Sequence, residues 1–215
     1  MKKISLVILS FLFLSLQAVK AEVGVGISGA VHFLDASGTE TTRQSSEKNS
    51  GSHSEEAAVP ELFIEHIAGD GIAFGLSYIP TAEMGSKSRS DSNSDGDTGT
   101  YTAKAELEDL FQVYMDVPVS EAYGQEVYTK IGIQHATIAT LESLNSGETY
   151  PDEDVVGLTL GLGMKGDLPY GNNLYYKSEL TYTNFEEYRA TGTAGNKVEA
   201  DLESIAARLS IGYKF

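Results

Sequence analysis

Four histidines, His32, His53, His66 and His135, are the side chains best suited to moving a proton near neutral pH, and the chain has no cysteine. Thiol nucleophiles and zinc–thiolate centres are therefore excluded. A hydrolase would need one of these histidines beside a hydroxyl nucleophile and a carboxylate. His135-Ala136-Thr137 comes nearest. It offers threonine where such an arrangement wants serine, and Glu142 could serve as the acid only through a loop excursion. No catalytic residue is assigned, and the chain is read as non-enzymatic.

A second candidate chemistry is cation binding. In Asp91-Ser92-Asn93-Ser94-Asp95-Gly96-Asp97, oxygen-bearing side chains alternate and a glycine follows. Asp91, Asn93, Asp95 and Asp97 thus match the start of a calcium loop, where carboxylates and amides wrap a hard cation. The twelfth position should carry a bidentate glutamate and carries Thr102 instead. Calcium is kept as a weak candidate, and no metal or cofactor is assigned.

These residues must be placed by something, and the chain alternates between two compositions. One is apolar with period two, as in half-buried strands; the other is rich in Ser, Gly, Asp, Glu, Asn and Thr. Val23, Val25, Ile27, Val31 and Phe33 share one face, opposite Gly24, Gly26, Ser28, Ala30 and His32. The same pattern recurs from Ile72, from Val156 and from Ile205 to Phe215. One face is large and apolar, the other small or polar. A soluble sandwich would bury its large side chains and show charges outside. The pattern here fits a narrow barrel whose outer face meets lipid.

Four less regular segments, 61–68, 101–117, 127–137 and 174–185, bring the strands to eight. Short connections at 69–71, 118–126 and 166–173 alternate with long polar ones at 34–60, 79–100, 138–155 and 186–197. In an up-and-down barrel the short turns are periplasmic and the long loops external. By the same parity Glu65, Glu108, Lys130, Lys177, Glu179 and Arg208 point inward at similar depth. They form an expected lumen charge network of three acids and three bases that plugs the barrel. Asp109 breaks the alternation. Either it sits at headgroup level, or a bulge beside Glu108 shifts the register. Tyr78, Tyr101, Tyr182 and Tyr213 read as interface aromatics. Tyr150 and Tyr188 are loop residues that could stack on carbohydrate.

Lys2 and Lys3, the apolar run from Ile4 to Leu16, and Val19-Lys20-Ala21 read as an export signal cleaved after Ala21. Residues 22–215 are then one domain. Losing three lysines moves the formal charge from −16 to about −19, which disfavours nucleic acid as a partner.

The ending Leu209-Ser210-Ile211-Gly212-Tyr213-Lys214-Phe215 and the opening Val-Gly-Val-Gly-Ile-Ser-Gly strand carry a resemblance. The mature chain resembles the small outer-membrane β-barrel family of the OmpA transmembrane domain, OmpX and the opacity porin-like proteins. The resemblance implies an all-β, eight-stranded antiparallel up-and-down transmembrane β-barrel in the outer membrane. It also implies that Tyr213 and Phe215 are read by the barrel-assembly machinery. No peptidoglycan-binding domain of the OmpA kind is expected after Phe215. The expected partners are outer-membrane lipid, lipopolysaccharide and an unidentified surface ligand met by long acidic loops. The expected role is structural or surface-interacting. The alternative is a porin-like or OmpW-like channel for small or hydrophobic solutes, and a lipid-modifying enzyme ranks below both.

Overall fold

The computed structural model describes residues 21–43, 46, 48–92, 98–143, 149–169 and 173–215, with side chains except at 82–92, 98–105 and 140–143. The export signal and Asn93, Asp95 and Asp97 of the candidate calcium loop lie outside the described residues, as does the side chain of Asp91.

Ten strands run β1 (Glu22–Thr41), β2 (Lys48–Ile67), β3 (Ala73–Ile79), β4 (Ala82–Ser92), β5 (Thr98–Ala122), β6 (Gln125–Ser143), β7 (Glu153–Asp167), β8 (Leu174–Phe185), β9 (Tyr188–Thr191) and β10 (Lys197–Lys214). Pro80-Thr81 divides β3 from β4, and Glu186-Glu187 divides β8 from β9. Both β3 and β4 pair with β5, and both β8 and β9 pair with β10. The ten segments therefore make eight staves. β10 pairs antiparallel with β1 from Gly24↔Lys214 to Thr41↔Lys197, which closes the ring. Closure satisfies the backbone groups that an open edge would leave bare in hydrocarbon. Toward the loop end the hydrogen-bonded pairing of the wall is interrupted. Among the described residues β2 pairs β3 only from Leu62 to Ile67, and β4 pairs only β5.

The outer face carries the large apolar side chains in the open. Ile27, Ile133, Leu162, Leu180 and Leu209 are 58–70% exposed, and Leu62 and Leu158 are close behind. An apolar band of this extent is far beyond the patches of a water-soluble monomer and is what a bilayer-spanning barrel presents.

The polar stretches expected as long loops are mostly strand. β1 and β2 run on past residues 34 and 60, leaving 42–47 between them, and β9 lies within 186–197, which ends where β10 begins. Along these extensions the pattern inverts. On β10 Ile205, Leu209 and Ile211 are outward, but beyond them Glu203, Asp201 and Glu199 are outward while Leu202 is buried. On β1 the switch falls between Phe33, which is exposed, and Leu34, which is buried. The barrel therefore continues above its apolar band as a water-facing barrel with an apolar interior. Sequence reading missed this because the inverted stretches are short and rich in small polar residues.

Asp109 resolves as a bulge. Glu108 pairs with Thr137 and Phe111 with His135, so Asp109 and Leu110 together oppose Ala136. Asp109 takes φ +50 and is exposed. Its carboxylate accepts a long hydrogen bond from the Tyr78 hydroxyl at 3.5 Å. The extra residue reverses the parity above it: Leu107 turns inward and Glu108 does not. Glu108 is thereby removed from the expected lumen network.

Candidate functional site

Inward-facing side chains are stacked in three tiers, and the strands β3, β5 and β6 show why. Successive inward register sets are Gly75–Tyr114–Gly132, then Ser77–Gln112–Gln134, then Ile79–Leu110 with Ala136 across the bulge. From the turn end upward they are ionic, polar and apolar.

The ionic tier gathers five of the six expected residues, Glu65, Lys130, Lys177, Glu179 and Arg208, and adds Glu61 and Asp116. Lys177 Nζ lies 2.8 Å from Glu65, 2.7 Å from Asp116 and 3.8 Å from Glu179. Lys130 Nζ lies 2.8 Å from Glu179 and 3.2 Å from Asp116. Arg208 spans Glu61 at 2.5 Å and Glu179 at 3.2 Å. All seven side chains are buried. Four acids against three bases leave one negative charge, not the balance expected from parity.

Three tyrosine hydroxyls soften that surplus. Tyr114 and Tyr175 donate to Glu65 at 2.8 and 2.9 Å, and Tyr128 donates to Glu179 at 2.8 Å. Lys130 Nζ sits 3.4 Å from the centre of the Tyr114 ring, a cation–π contact. Each ring fits only because a neighbouring strand places glycine beneath it. A Cβ on Gly75 would overlap Tyr114, one on Gly163 would overlap Tyr128, and Gly24 and Gly212 both make room for Tyr175. Glycine in a strand often marks such close approach.

Glu61 shares the parity of Glu65, and Asp116 that of Gln112, so both were within reach of period-two counting. The tyrosine seats were not. They depend on which glycine lies opposite across the register.

The middle tier holds Ser28, His32, Ser77, Gln112, Gln134, Thr159, Thr181, Thr183 and Ser204, all buried. The upper tier is a cluster including Leu34, Val59, Ile79, Leu107, Leu110, Ile138, Val155, Phe185, Tyr188 and Leu202. Tyr188 is 6% exposed, and Tyr150 packs on the cluster, so neither ring stands open for carbohydrate as expected. Above them the Tyr150 hydroxyl donates to Glu40 at 3.1 Å, Asn196 donates to Glu40 at 3.3 Å, and the Arg43 amide donates to Asn196 Oδ1 at 3.0 Å. Three connections are thus tied across the mouth.

Outside the lumen, His135 lies 4.0 Å from the Asp154 carboxylate, and the side chain of Glu142 lies outside the described residues. The Thr137 hydroxyl donates to that same Asp154 at 2.9 Å. Its proton is directed to the acid and not to the histidine, the reverse of an activated nucleophile. Tyr213 and Phe215 stack edge-on with centroids 4.9 Å apart, both exposed on the outer face at the turn end.

No protein-family model matches the sequence, and no curated protein matches it. Among solved structures, the outer membrane protein OprG from Pseudomonas aeruginosa superposes with a TM-score of 0.62 at 14% identity, covering 91% of this chain and 96% of that one. The fold is that of an outer-membrane β-barrel. Two looser superpositions are the outer membrane protease OmpT from Escherichia coli and Ail, the attachment invasion locus protein of Yersinia pestis. OmpT gives a TM-score of 0.48 at 9% identity, covering 93% of this chain and 99% of that one. Ail, solved in complex with the heparin analogue sucrose octasulfate, gives 0.44 at 13%, covering 88% and 99%. The staves of this β-barrel carry the ionic tier on β2, β5, β6, β8 and β10, so the network ties together five of the eight walls.

Proposed function

We propose that the protein is a non-enzymatic outer-membrane barrel with a plugged lumen, acting as a structural or surface-interaction element through its acidic loop end. The supporting observation is the seven-membered ionic tier. Each lysine bridges at least two carboxylates within 3.2 Å, and no member is more than 7% exposed. Eight staves leave an interior just wide enough for side chains, so such a layer fills it. The loop end faces the exterior, as the short turns belong to the periplasm. Its outward Glu199, Asp201, Glu203 and Asp154 suit partners that present cations, including divalent ions shared with lipopolysaccharide. Planar-bilayer recording of the purified protein tests the plug. The expected trace has no steady ohmic pore, and a reproducible large conductance overturns the reading.

A second reading, a path for small hydrophobic solutes, is favoured by the apolar upper tier and by the missing strand pairing between β2 and β4 at that level. Its test is uptake of a hydrocarbon by vesicles with and without the protein.

A further inference from the structure

Around most of the middle tier the polar side chains satisfy one another. Ser28 meets Ser210 at 2.8 Å, Thr159 meets Thr183 at 2.9 Å, and His32 Nδ1 meets Ser204 at 3.1 Å, although the buried Nε2 of His32 has no partner. On β3 and β5 they do not. Gln112 is 0% exposed, and neither its amide nitrogen nor its oxygen has a partner within the protein; Ser77 Oγ, 1% exposed, has none either. The two residues are register partners, so their Cβ atoms lie about 5 Å apart. One amide donor, one carbonyl acceptor and one hydroxyl are therefore concentrated in a single patch.

Burying such groups without hydrogen bonds is costly, and aliphatic side chains of similar size would fill the space at no such cost. The surroundings define what would match them. Toward the turn end stands Tyr114, whose hydroxyl is already committed to Glu65. Toward the loop end the next register pair is Ile79 with Leu110, where the apolar cluster begins. Gly132 gives the amide its seat, since a Cβ there would come within 2.8 Å of Gln112 Nε2. The patch offers no unpaired charge of its own, and the tier below already carries one surplus negative charge. A carboxylate or phosphate head is disfavoured there.

We propose that Gln112 and Ser77 form a binding site for a small neutral amphiphile, whose head both donates and accepts a hydrogen bond and whose apolar body lies among the cluster that starts at Ile79 and Leu110. Primary carboxamides and alcohols have this chemistry. The proposal rests on the second reading above and names the ligand class that the upper lumen would take.

The test uses the full chain in lipid nanodiscs, following the side-chain amide resonance of Gln112 during titration with octanamide and, separately, with octane. Octanamide should shift that resonance saturably, and octane should not. Gln112→Leu should weaken octanamide binding about tenfold, the worth of a single buried hydrogen bond, while leaving octane partitioning unchanged. Ser77→Ala, a smaller change, should weaken it in the same direction and guards against misfolding of the first variant. The proposal is overturned if octanamide gives no saturable shift, or if the amide shows only a long-lived water that the probe leaves in place. It is equally overturned if both folded variants bind octanamide as the parent does. Binding that persists while vesicle uptake fails removes the transport reading and keeps the site; uptake without octanamide binding does the reverse.

Discussion

Lys177 is the residue on which the ionic tier turns, because it reaches three carboxylates, two on other staves and one on its own. Replacing it with methionine removes a partner from each and leaves the acids buried and facing one another. Lys177→Met should therefore lower the unfolding free energy by about 3–5 kcal/mol, read from urea titration in lipid vesicles. Adding Glu65→Gln should restore part of that loss, and a double-mutant cycle should show coupling of about 1 kcal/mol or more. Unchanged stability in the single variant would mean the tier holds nothing together. The glycine seats make a second residue-scale prediction. Gly163→Ala drives a methyl into the Tyr128 ring and should cost about 1–3 kcal/mol. Gly29→Ala, with nothing within 4 Å of its added carbon, should cost nothing measurable in the same titration. Which residues face inward was readable from period two alone at Glu65, Lys130, Lys177, Glu179 and Arg208. Which inward residues meet was not, because that depends on the stagger between strands and not on any one of them.

At the scale of the element, β5 shows how one residue can mislead a whole strand. Asp109 is the extra member of a two-against-one pairing with Ala136. Its left-handed φ is tolerated better by aspartate than by most side chains. Deleting Asp109 would leave Leu110 directly opposite Ala136, with Leu107 still inward and Phe111 still outward. The deletion variant should therefore fold, with its heat-modifiable mobility on gels retained. Deleting Gln112 instead would throw every residue on one side of it onto the wrong face and should abolish the folded band. Equal behaviour of the two deletions would refute the bulge. The sequence held the warning, a carboxylate where lipid should be. It did not say which of two remedies the fold adopts, because a bulge is a local backbone choice that side-chain periodicity registers only as an interruption.

At the scale of the molecule, each long strand carries its own record of where the bilayer stops. On β10 the change falls between Ile205 and Glu203. A lysine at Leu209, 70% exposed in the middle of the band, should cost about 2–4 kcal/mol in lipid vesicles. Lysine at Glu203, three turns of the alternation higher on the same face, should cost less than about 1 kcal/mol. Similar penalties at both positions would place the boundary elsewhere. The closed eight-stave topology was legible from strand count and alternating connection lengths, since both follow from bilayer physics. The extension above the band was not, because its inward Leu34, Val59 and Leu202 are followed on the same face by small residues, Ala36, Ala57 and Ala200, which carry little weight in any hydrophobic pattern.

That inversion of faces also fixes the depth at which the molecule floats. A thicker membrane would drown Asp35, Glu203 and Asp154 in acyl chains, while a thinner one would lift Phe33 and Ile205 into water. The two edges of the band therefore set how deep the barrel sits in the bilayer. Lipids whose length matches the band fit its rim with least strain, and vertical displacement of the barrel in either direction is resisted.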